Sequence, residues 1–263
     1  AAGFYHQLIA KAGISPGQAL ASARARAYAG TPLRDAWSIP ICLARPRLLP
    51  QDAAARARDH AARNTLPPTR DSFQPRPEIM AHGVDDPQML DALIERASVL
   101  AVGPGLGVRG WGHALWDRAV HGGKPMVLDA DGLNLLASHA SPDMQISVIT
   151  PHPGEAARLL GASVDSVQSD RPAALRELSR RYGECWVVLK GRHTLIGRHE
   201  GPILINSSGN SHLAQGGSGD VLAGYAAGLL AQPALQREVQ RTLAYAVCQH
   251  GAAADLLTAT RRN

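Results

Sequence analysis

The sequence is poor in several features, and each shortage excludes a class of protein. Aromatic residues make up only 4% of the 263 residues, so a core has to be built mostly from Ala, Leu and Val. No run approaches the roughly 20 apolar residues that span a bilayer, and no signal peptide opens the chain, which predicts a cytoplasmic protein without membrane attachment. The three cysteines (Cys42, Cys185 and Cys248) are odd in number and lack metal-ligand spacing, which favours a reducing compartment.

The net positive charge of the protein comes from one part of the chain. Residues 1–76 carry 11 of the 27 Lys and Arg residues and 4 of the 22 Asp and Glu residues, a net charge of +7. Residues 77–263 carry the remaining 16 basic and 18 acidic residues, a net charge of −2. No recognisable nucleic-acid-binding motif is present either, so we expect no nucleic-acid partner.

Residues 1–75 and 76–263 differ in composition, and we interpret them as two parts. The first part holds eight of the 18 prolines, and it shows no clean alternation of strands and helices. We expect it to be an irregular or helical, poorly ordered accessory segment, with short helices at residues 19–29 and 51–63.

From residue 76 onward, apolar runs alternate with helical patterns. Strands are predicted at residues 98–102, 125–128, 146–149, 185–189, 195–197 and 202–205. Helices are predicted at residues 90–96, 111–121, 156–161, 171–182, 221–230 and 238–258. The alternation predicts an α/β fold of three layers, with a mostly parallel central sheet and helices on both faces. A polar cluster follows each parallel strand, and the carboxyl ends of such strands share one edge, so the clusters should meet in one crevice.

The most distinctive cluster is the glycine-rich turn GGSGD at residues 216–220, which precedes a long apolar helix. Three glycines in four residues allow a tight turn and a close approach to a ligand, and the amides that open a helix favour an anion. Asp220 would repel a phosphate unless it takes a proton from an attacking hydroxyl or organises a metal. The structural alternative is an ordinary turn in which Asp220 caps the helix.

Two clusters follow earlier strands. The GPGLG run at residues 103–107 could wrap a phosphate or a flat ring, and a tight turn explains it equally well. Asp129 and Asp131 could hold magnesium through water, although Asp131 is as well suited to cap a helix beginning at Leu133. Asn134 is expected either to contact a ligand or to mark the start of that helix.

Two more clusters follow later strands. His152 is framed by prolines that fix its backbone, which favours a ligand contact, and Glu155 either stabilises the next helix start or meets a metal-bound water. Lys190 could meet a phosphate as a point charge, Gly191 would permit close approach, and Thr194 could hydrogen-bond ribose or phosphate. A simple turn at the end of a strand is the alternative for this last cluster.

Five segments together resemble one protein family. They are LDADGLNLLA (128–137), ITPHPGEAARLLG (149–161), VVLKGRHTLI (187–196), NSSGNSHLAQGGSGDVLAG (206–224) and AVCQHGAAADLL (246–257). In this order they resemble the NAD(P)H-hydrate dehydratase family of the ribokinase-like superfamily, over about residues 76–257. The resemblance implies ADP- or ATP-dependent repair of the (6S) hydrates of NADH and NADPH, with Mg²⁺, in a homotetramer.

The resemblance also implies roles for individual residues. Asp220 would be the base that deprotonates the hydrate, and Glu155 would contact magnesium through water. The implied substrate-binding residues are Gly105, Gly107, Asp131, Asn134, His152 and Asp220. The implied nucleotide-binding residues are Lys190, Gly191, Arg192, His193, Thr194, Gly216, Gly217, Ser218 and Gly219.

Both ends of the chain depart from the family pattern. Residues 1–75 lack the usual strand, GGxxxxxGA-like loop and helix, and no segment like RGxxATDL follows HGAAAD before Asn263. One hypothesis is a coding sequence read in another frame at both ends. Two other functions stay open: a small-molecule kinase of the same superfamily, because GGSGD serves both classes of enzyme, or a catalytically impaired remnant of the dehydratase, because the N-terminal unit departs from the family.

Overall fold

Seven strands line up in one sheet in the computed structural model, which describes residues 41–43, 82–139 and 144–260. The strands are β1 (Ile41–Leu43), β2 (Leu100–Val102), β3 (Met126–Leu128), β4 (Ile146–Ile149), β5 (Trp186–Leu189), β6 (Leu195–Gly197) and β7 (Leu204–Ile205). They lie side by side in sequence order. Strands β1 to β5 are parallel, and β6 and β7 extend the sheet as antiparallel strands. The predicted, mostly parallel sheet is thus confirmed.

The described residues also contain nine α-helices. They are α1 (Leu90–Arg96), α2 (Trp111–His121), α3 (Asp131–His139), α4 (Pro153–Leu160), α5 (Val164–Ser169), α6 (Arg171–Arg181), α7 (Ser218–Leu230), α8 (Pro233–Gln236) and α9 (Val239–Thr260). Every helix predicted from residue 76 onward is present. Only the short helices α5 and α8 were not predicted, because six and four residues are too few to show a clear helical period.

The sheet separates two apolar layers. Parallel strands in sequence order, joined by right-handed crossovers, place the connecting helices on one face. Accordingly, the larger cluster joins alternate strand residues such as Leu100 and Val102 to helices α1 to α6. The intervening residues Val99, just before β2, and Ala101 pack on α7 and α9. Helices therefore cover both faces, as the three-layer prediction required.

Most of residues 1–75, including the helices predicted at 19–29 and 51–63, lies outside the described residues. The described exception is β1, which pairs in parallel with β2. The prediction of an irregular or helical segment did not include this strand, because its three residues lie between Pro40 and Pro46, which suggested a loop. None of the described helices combines the length and apolar character needed to cross a membrane.

Gly112 lets α2 pack closely on the turn that follows β2. A methyl group at this position would lie 2.3 Å from the carbonyl oxygens of Leu106 and Gly107. We expect Gly112→Ala to lower the free energy of unfolding by about 1–3 kcal/mol, because the backbone has to move. Urea denaturation measures this loss. Gly224→Ala is the matched control, since no described atom lies within 4 Å of its added methyl group; a comparable loss in both variants would contradict the packing argument.

Candidate active site

The turns that follow β2 to β5 meet at the carboxyl edge of the sheet. The backbone amide of Gly107, after β2, donates to Oδ2 of Asp131, after β3, at 2.8 Å. The amide of Lys190, after β5, donates to the carbonyl of Pro151, after β4, also at 2.8 Å. The structure therefore brings the clusters predicted at the ends of these four strands to one place.

Two buried carboxylates and a half-buried ammonium form a charged cluster at the centre of this edge. Asp129 is 1% exposed, and its Oδ1 lies 2.6 Å from Nζ of Lys190. The same Nζ lies 3.7 Å from Oε2 of Glu155, which is also buried. Lys190 was predicted from the sequence to meet a phosphate as a point charge, but its ammonium is already paired within the protein. The charge of Lys190 is therefore largely balanced by Asp129 and Glu155, and it would influence a bound phosphate from within this cluster.

The first turn of α7 lies directly on this ion pair. A Cβ at Gly219 would lie 3.1 Å from Nζ of Lys190 and 3.4 Å from Oδ2 of Asp129, so only glycine permits this approach without displacement. The helix is capped by Gly217, which has a φ of 87°, and no described side chain bonds to its first amides. The amide of Ser218 donates to the carbonyl of Gln215, so the amides of Gly219 and Asp220 are the ones left without an acceptor among the described residues, as an anion site requires.

Asp220 lies in the first turn of α7 and is exposed. It does not cap the helix, because Gly217 occupies that position. The structural alternative drawn from the sequence is therefore wrong for this residue. An exposed carboxylate is able to take a proton from a group bound beside it.

Sequence reasoning assigned no role to His250 of α9, although it lies within the HGAAAD segment. Its ring is buried, and Nε2 lies 3.4 Å from Oγ of Ser218, the first residue of α7. Burial lowers the pKa of His250; a hydrogen bond with Ser218 partly opposes this effect, and the nearby charge of Lys190 adds to it. A neutral imidazole therefore packs against the glycine-rich turn. The two residues in contact are 32 positions apart, so no local sequence pattern indicates the contact.

Hydrogen bonds connect the predicted substrate-binding residues in the turns that follow β2 and β3. Gly105 and Gly107 have φ values of 70° and 78°, which favour glycine. Asp131 accepts from the amide of Gly107 and from Nδ2 of Asn134, and Asn134 in turn accepts from Arg158. Asp131 is the first residue of α3, so the cap predicted for a helix beginning at Leu133 is not observed.

His152 and Glu155 form a reciprocal cap at the start of α4. Nδ1 of His152 accepts from the amides of Gly154 and Glu155 at 3.0 and 3.3 Å, and Glu155 accepts from the amide of His152 at 2.7 Å. Because Nδ1 is the acceptor, the proton of a neutral ring is on Nε2. The side chain of His152 is 56% exposed, and Nε2 lies 3.5 Å from Oε1 of Glu155, so a ligand that meets this N–H would share it with that carboxylate.

Arg171, the first residue of α6, holds the turn after β5 in place through hydrogen bonds to its backbone. Its guanidinium donates to the carbonyls of Leu189, Lys190 and Arg192. The hydroxyl of Thr194, predicted to meet a nucleotide, donates instead to the carbonyl of Gly191 at 3.1 Å. Arg192 and His193 are exposed on this turn, as is Gly216 in the glycine turn before α7.

Among the described residues, no group of three or more His, Cys, Asp or Glu side chains is placed to hold a metal ion. Glu155, the predicted water-mediated contact, accepts from the amide of His152 through Oε2, and its Oε1 lies 3.5 Å from Nε2 of His152. These residues do not form a protein-only magnesium site. A magnesium ion in the crevice would therefore need phosphate and water ligands.

Comparison with known proteins gives a consistent result. The family described as NAD(P)H-hydrate dehydratase matches residues 70–262. The chain is 45% identical over 186 residues to the bifunctional NAD(P)H-hydrate repair enzyme Nnr of Escherichia coli K12, which covers 70% of this chain and 35% of that protein. It is 42% identical over 176 residues to the ADP-dependent (S)-NAD(P)H-hydrate dehydratase of Neisseria meningitidis serogroup B, which covers 64% of this chain and 58% of that protein.

A solved structure agrees with the sequence relatives. The ADP/ATP-dependent NAD(P)H-hydrate dehydratase of Bacillus subtilis, co-crystallized with ATP/Mg²⁺ and soaked with CoA, aligns with a TM-score of 0.66 and 29% identity. That alignment covers 88% of this chain and 86% of the other. The chain spans about a third of the length of the bifunctional relatives that it matches. Because the family match extends over well more than half of its residues, the chain belongs to the NAD(P)H-hydrate dehydratase family.

Proposed function

We propose that this protein catalyses the ADP-dependent dehydration of the (6S) hydrates of NADH and NADPH. One observation carries the proposal: the first turn of α7, where the amides of Gly219 and Asp220 have no acceptor among the described residues, lies against the Lys190–Asp129 ion pair, beside the exposed carboxylate of Asp220. This arrangement combines a site for a phosphate with an adjacent base. The names of the relatives, one of them ADP-dependent, support the same activity.

The reaction needs a phosphoryl donor because hydroxide is a poor leaving group. The C6 hydroxyl oxygen attacks the β-phosphorus of ADP, the bond to the bridging oxygen breaks, and AMP leaves. The C6–O bond then breaks as the ring nitrogen lone pair moves towards C6, and inorganic phosphate departs. Loss of the C5 proton restores the double bond. The products are therefore NADH or NADPH, AMP and phosphate.

In this scheme the chain's own residues orient, stabilise and deprotonate. Asp220 takes the proton of the C6 hydroxyl as the new P–O bond forms. The amides of Gly216, Gly217 and Gly219, the last of which lies beside the ammonium of Lys190, stabilise the charge on the transferred phosphoryl group. The N–H of His152 and the turns at residues 105–107 and 131–134 are proposed to hold the hydrate, and residues 190–194 are proposed to hold the nucleotide.

Magnesium would enter with the nucleotide, since the described residues offer no ligand set of their own. The Bacillus subtilis relative was co-crystallized with ATP/Mg²⁺. When bound to the phosphates, the ion would screen their negative charge near the buried carboxylates. The homotetramer and the cytoplasmic location stay predictions.

The test is a turnover assay on the full chain with chemically prepared NADH hydrate and ADP. We expect the absorbance of the reduced nicotinamide to recover about 10⁶-fold or more faster than without protein. One AMP and one phosphate should form for each NADH restored, and replacing ADP by ATP measures the choice of donor.

The same assay separates the other functions. A small-molecule kinase would yield a stable phosphorylated product without recovery of absorbance. An impaired remnant would restore no NADH at all. Either result would overturn the proposed activity.

A further inference from the structure

The carbonyl oxygens of four consecutive residues, 189 to 192, are all held by hydrogen bonds within the protein. Arg171 donates Nη2 to the carbonyls of Leu189 at 3.0 Å and Lys190 at 3.3 Å, and it donates Nη1 to that of Arg192 at 2.5 Å. The carbonyl of Gly191 accepts from Thr194. One guanidinium thus holds three of the four acceptors of the turn.

This arrangement fixes where the amides point. In a planar trans peptide, the C=O of one residue and the N–H of the next point in opposite directions. Because the carbonyls of Lys190 and Arg192 face Arg171, the amides of Gly191 and His193 face away from it. Neither of these amides, nor that of Arg192, donates to any acceptor among the described residues. The turn therefore presents donors outwards.

The residue types at the contact suit this task. Gly191 has a φ of 139°, and a Cβ at this position would lie 3.2 Å from Nη2 of Arg171. Arg171 is the first residue of α6, whose cap is Asp170, so its backbone position is fixed by the helix start. The planar fork of arginine can reach three carbonyls at once, which the single ammonium of lysine does much less well.

We propose that Arg171 is a positioning residue for nucleotide binding: by holding the carbonyls of residues 189, 190 and 192, it aims the amides of Gly191 and His193 at acceptor oxygens of the adenine nucleotide. This inference rests on the proposed function, which puts the nucleotide on this turn. It adds a residue that touches neither the substrate nor the phosphates.

The chain supplies a matched control in Arg176, five residues further along the same helix. Its guanidinium also holds three carbonyls, those of Arg198, His199 and Gly201, at 3.4, 2.9 and 3.1 Å. These carbonyls lie in the turn between β6 and β7. Since β6 runs antiparallel to β5, this turn lies at the opposite edge of the sheet. Arg176 therefore makes the same kind of contact away from the site.

The experiment compares Arg171→Gln, Arg171→Lys and Arg176→Gln with the wild type. Calorimetry gives the Kd for ADP, the turnover assay gives KM and kcat, and thermal unfolding gives stability. We expect both Arg171 variants to raise Kd and KM for ADP about 10- to 100-fold, with much smaller changes in kcat at saturating ADP. Arg176→Gln should lose stability to a similar extent and bind ADP within about twofold of the wild type.

Several outcomes would overturn the inference. Wild-type affinity in Arg171→Lys would show that only the charge matters, and equal losses of affinity in Arg171→Gln and Arg176→Gln would show a purely structural role. A wild-type protein that binds ADP without restoring NADH would sink the proposed function alone, because the affinity comparison would still decide the role of Arg171. A wild-type protein that binds neither ADP nor ATP would overturn both.

Discussion

Asp220→Asn is expected to lose turnover of NADH hydrate by about 10²- to 10⁴-fold while ADP affinity stays close to that of the wild type. The asparagine has the same shape, but it cannot accept the proton of the C6 hydroxyl. The side chain is exposed in the first turn of α7, so the change should not disturb the core. The removal of a negative charge next to the phosphate site should leave ADP binding unchanged or slightly tighter. Parallel turnover and calorimetric measurements check both halves of the prediction.

Asp165→Asn is the control for this variant. Asp165 is also an exposed carboxylate in the first turn of a helix, α5, and it lies outside the crevice. Its replacement should cost no more than the few tenths of a kcal/mol that a carboxylate contributes at a helix start. If Asp220→Asn turned over the hydrate as fast as Asp165→Asn, Asp220 would not be the base.

Lys190→Met is expected to lower the free energy of unfolding by about 3–5 kcal/mol. The two carboxylates within 4.0 Å of its ammonium, Asp129 and Glu155, would be left buried without a cation. The variant should also lose measurable ADP binding, because the turn of α7 would then lie on negative charge. Urea denaturation and calorimetry provide the two measurements.

A double variant separates the stability effect from the binding effect. Asp129→Asn combined with Lys190→Met removes one carboxylate along with the cation, so it should recover part of the lost stability but not the ADP binding. Lys124→Met is the control: its ammonium donates to a backbone carbonyl, that of Glu95, away from the carboxyl edge. A Lys190→Met protein as stable as Lys124→Met would contradict the account of the charged cluster.

The position of the site was predictable, because it depends only on the order of the elements. Short apolar runs ending in polar residues indicate parallel strands, and such strands end at one edge. A role for the glycines in close approach could be predicted as well, and it holds at Gly219, where a Cβ would lie only 3.1 Å from Nζ of Lys190.

The partners of the polar side chains could not be predicted. Lys190 and Asp129 are 61 residues apart, and whether an ammonium meets a carboxylate or a ligand depends on distances that the sequence does not contain. His152 caps α4 although histidine is not among the preferred capping residues. Arg171 resembled an ordinary charged residue at a helix start. In each case a long or adaptable side chain has several possible partners, and the tertiary packing determines which of them it contacts.

The small side chains on the face of α7 that packs on the sheet affect the geometry of the candidate active site. Ala223, Ala226 and Ala227 pack on the sheet and are at most 2% exposed, so the helix axis lies low over the strands. A bulkier residue at Ala227 would push α7 away from the sheet and tilt it. The tilt would move the N-terminus of the helix, about 12 Å away, where Gly219 lies against Lys190. The thickness of the apolar layer between α7 and the sheet therefore sets the position of the amides that are proposed to bind a phosphate.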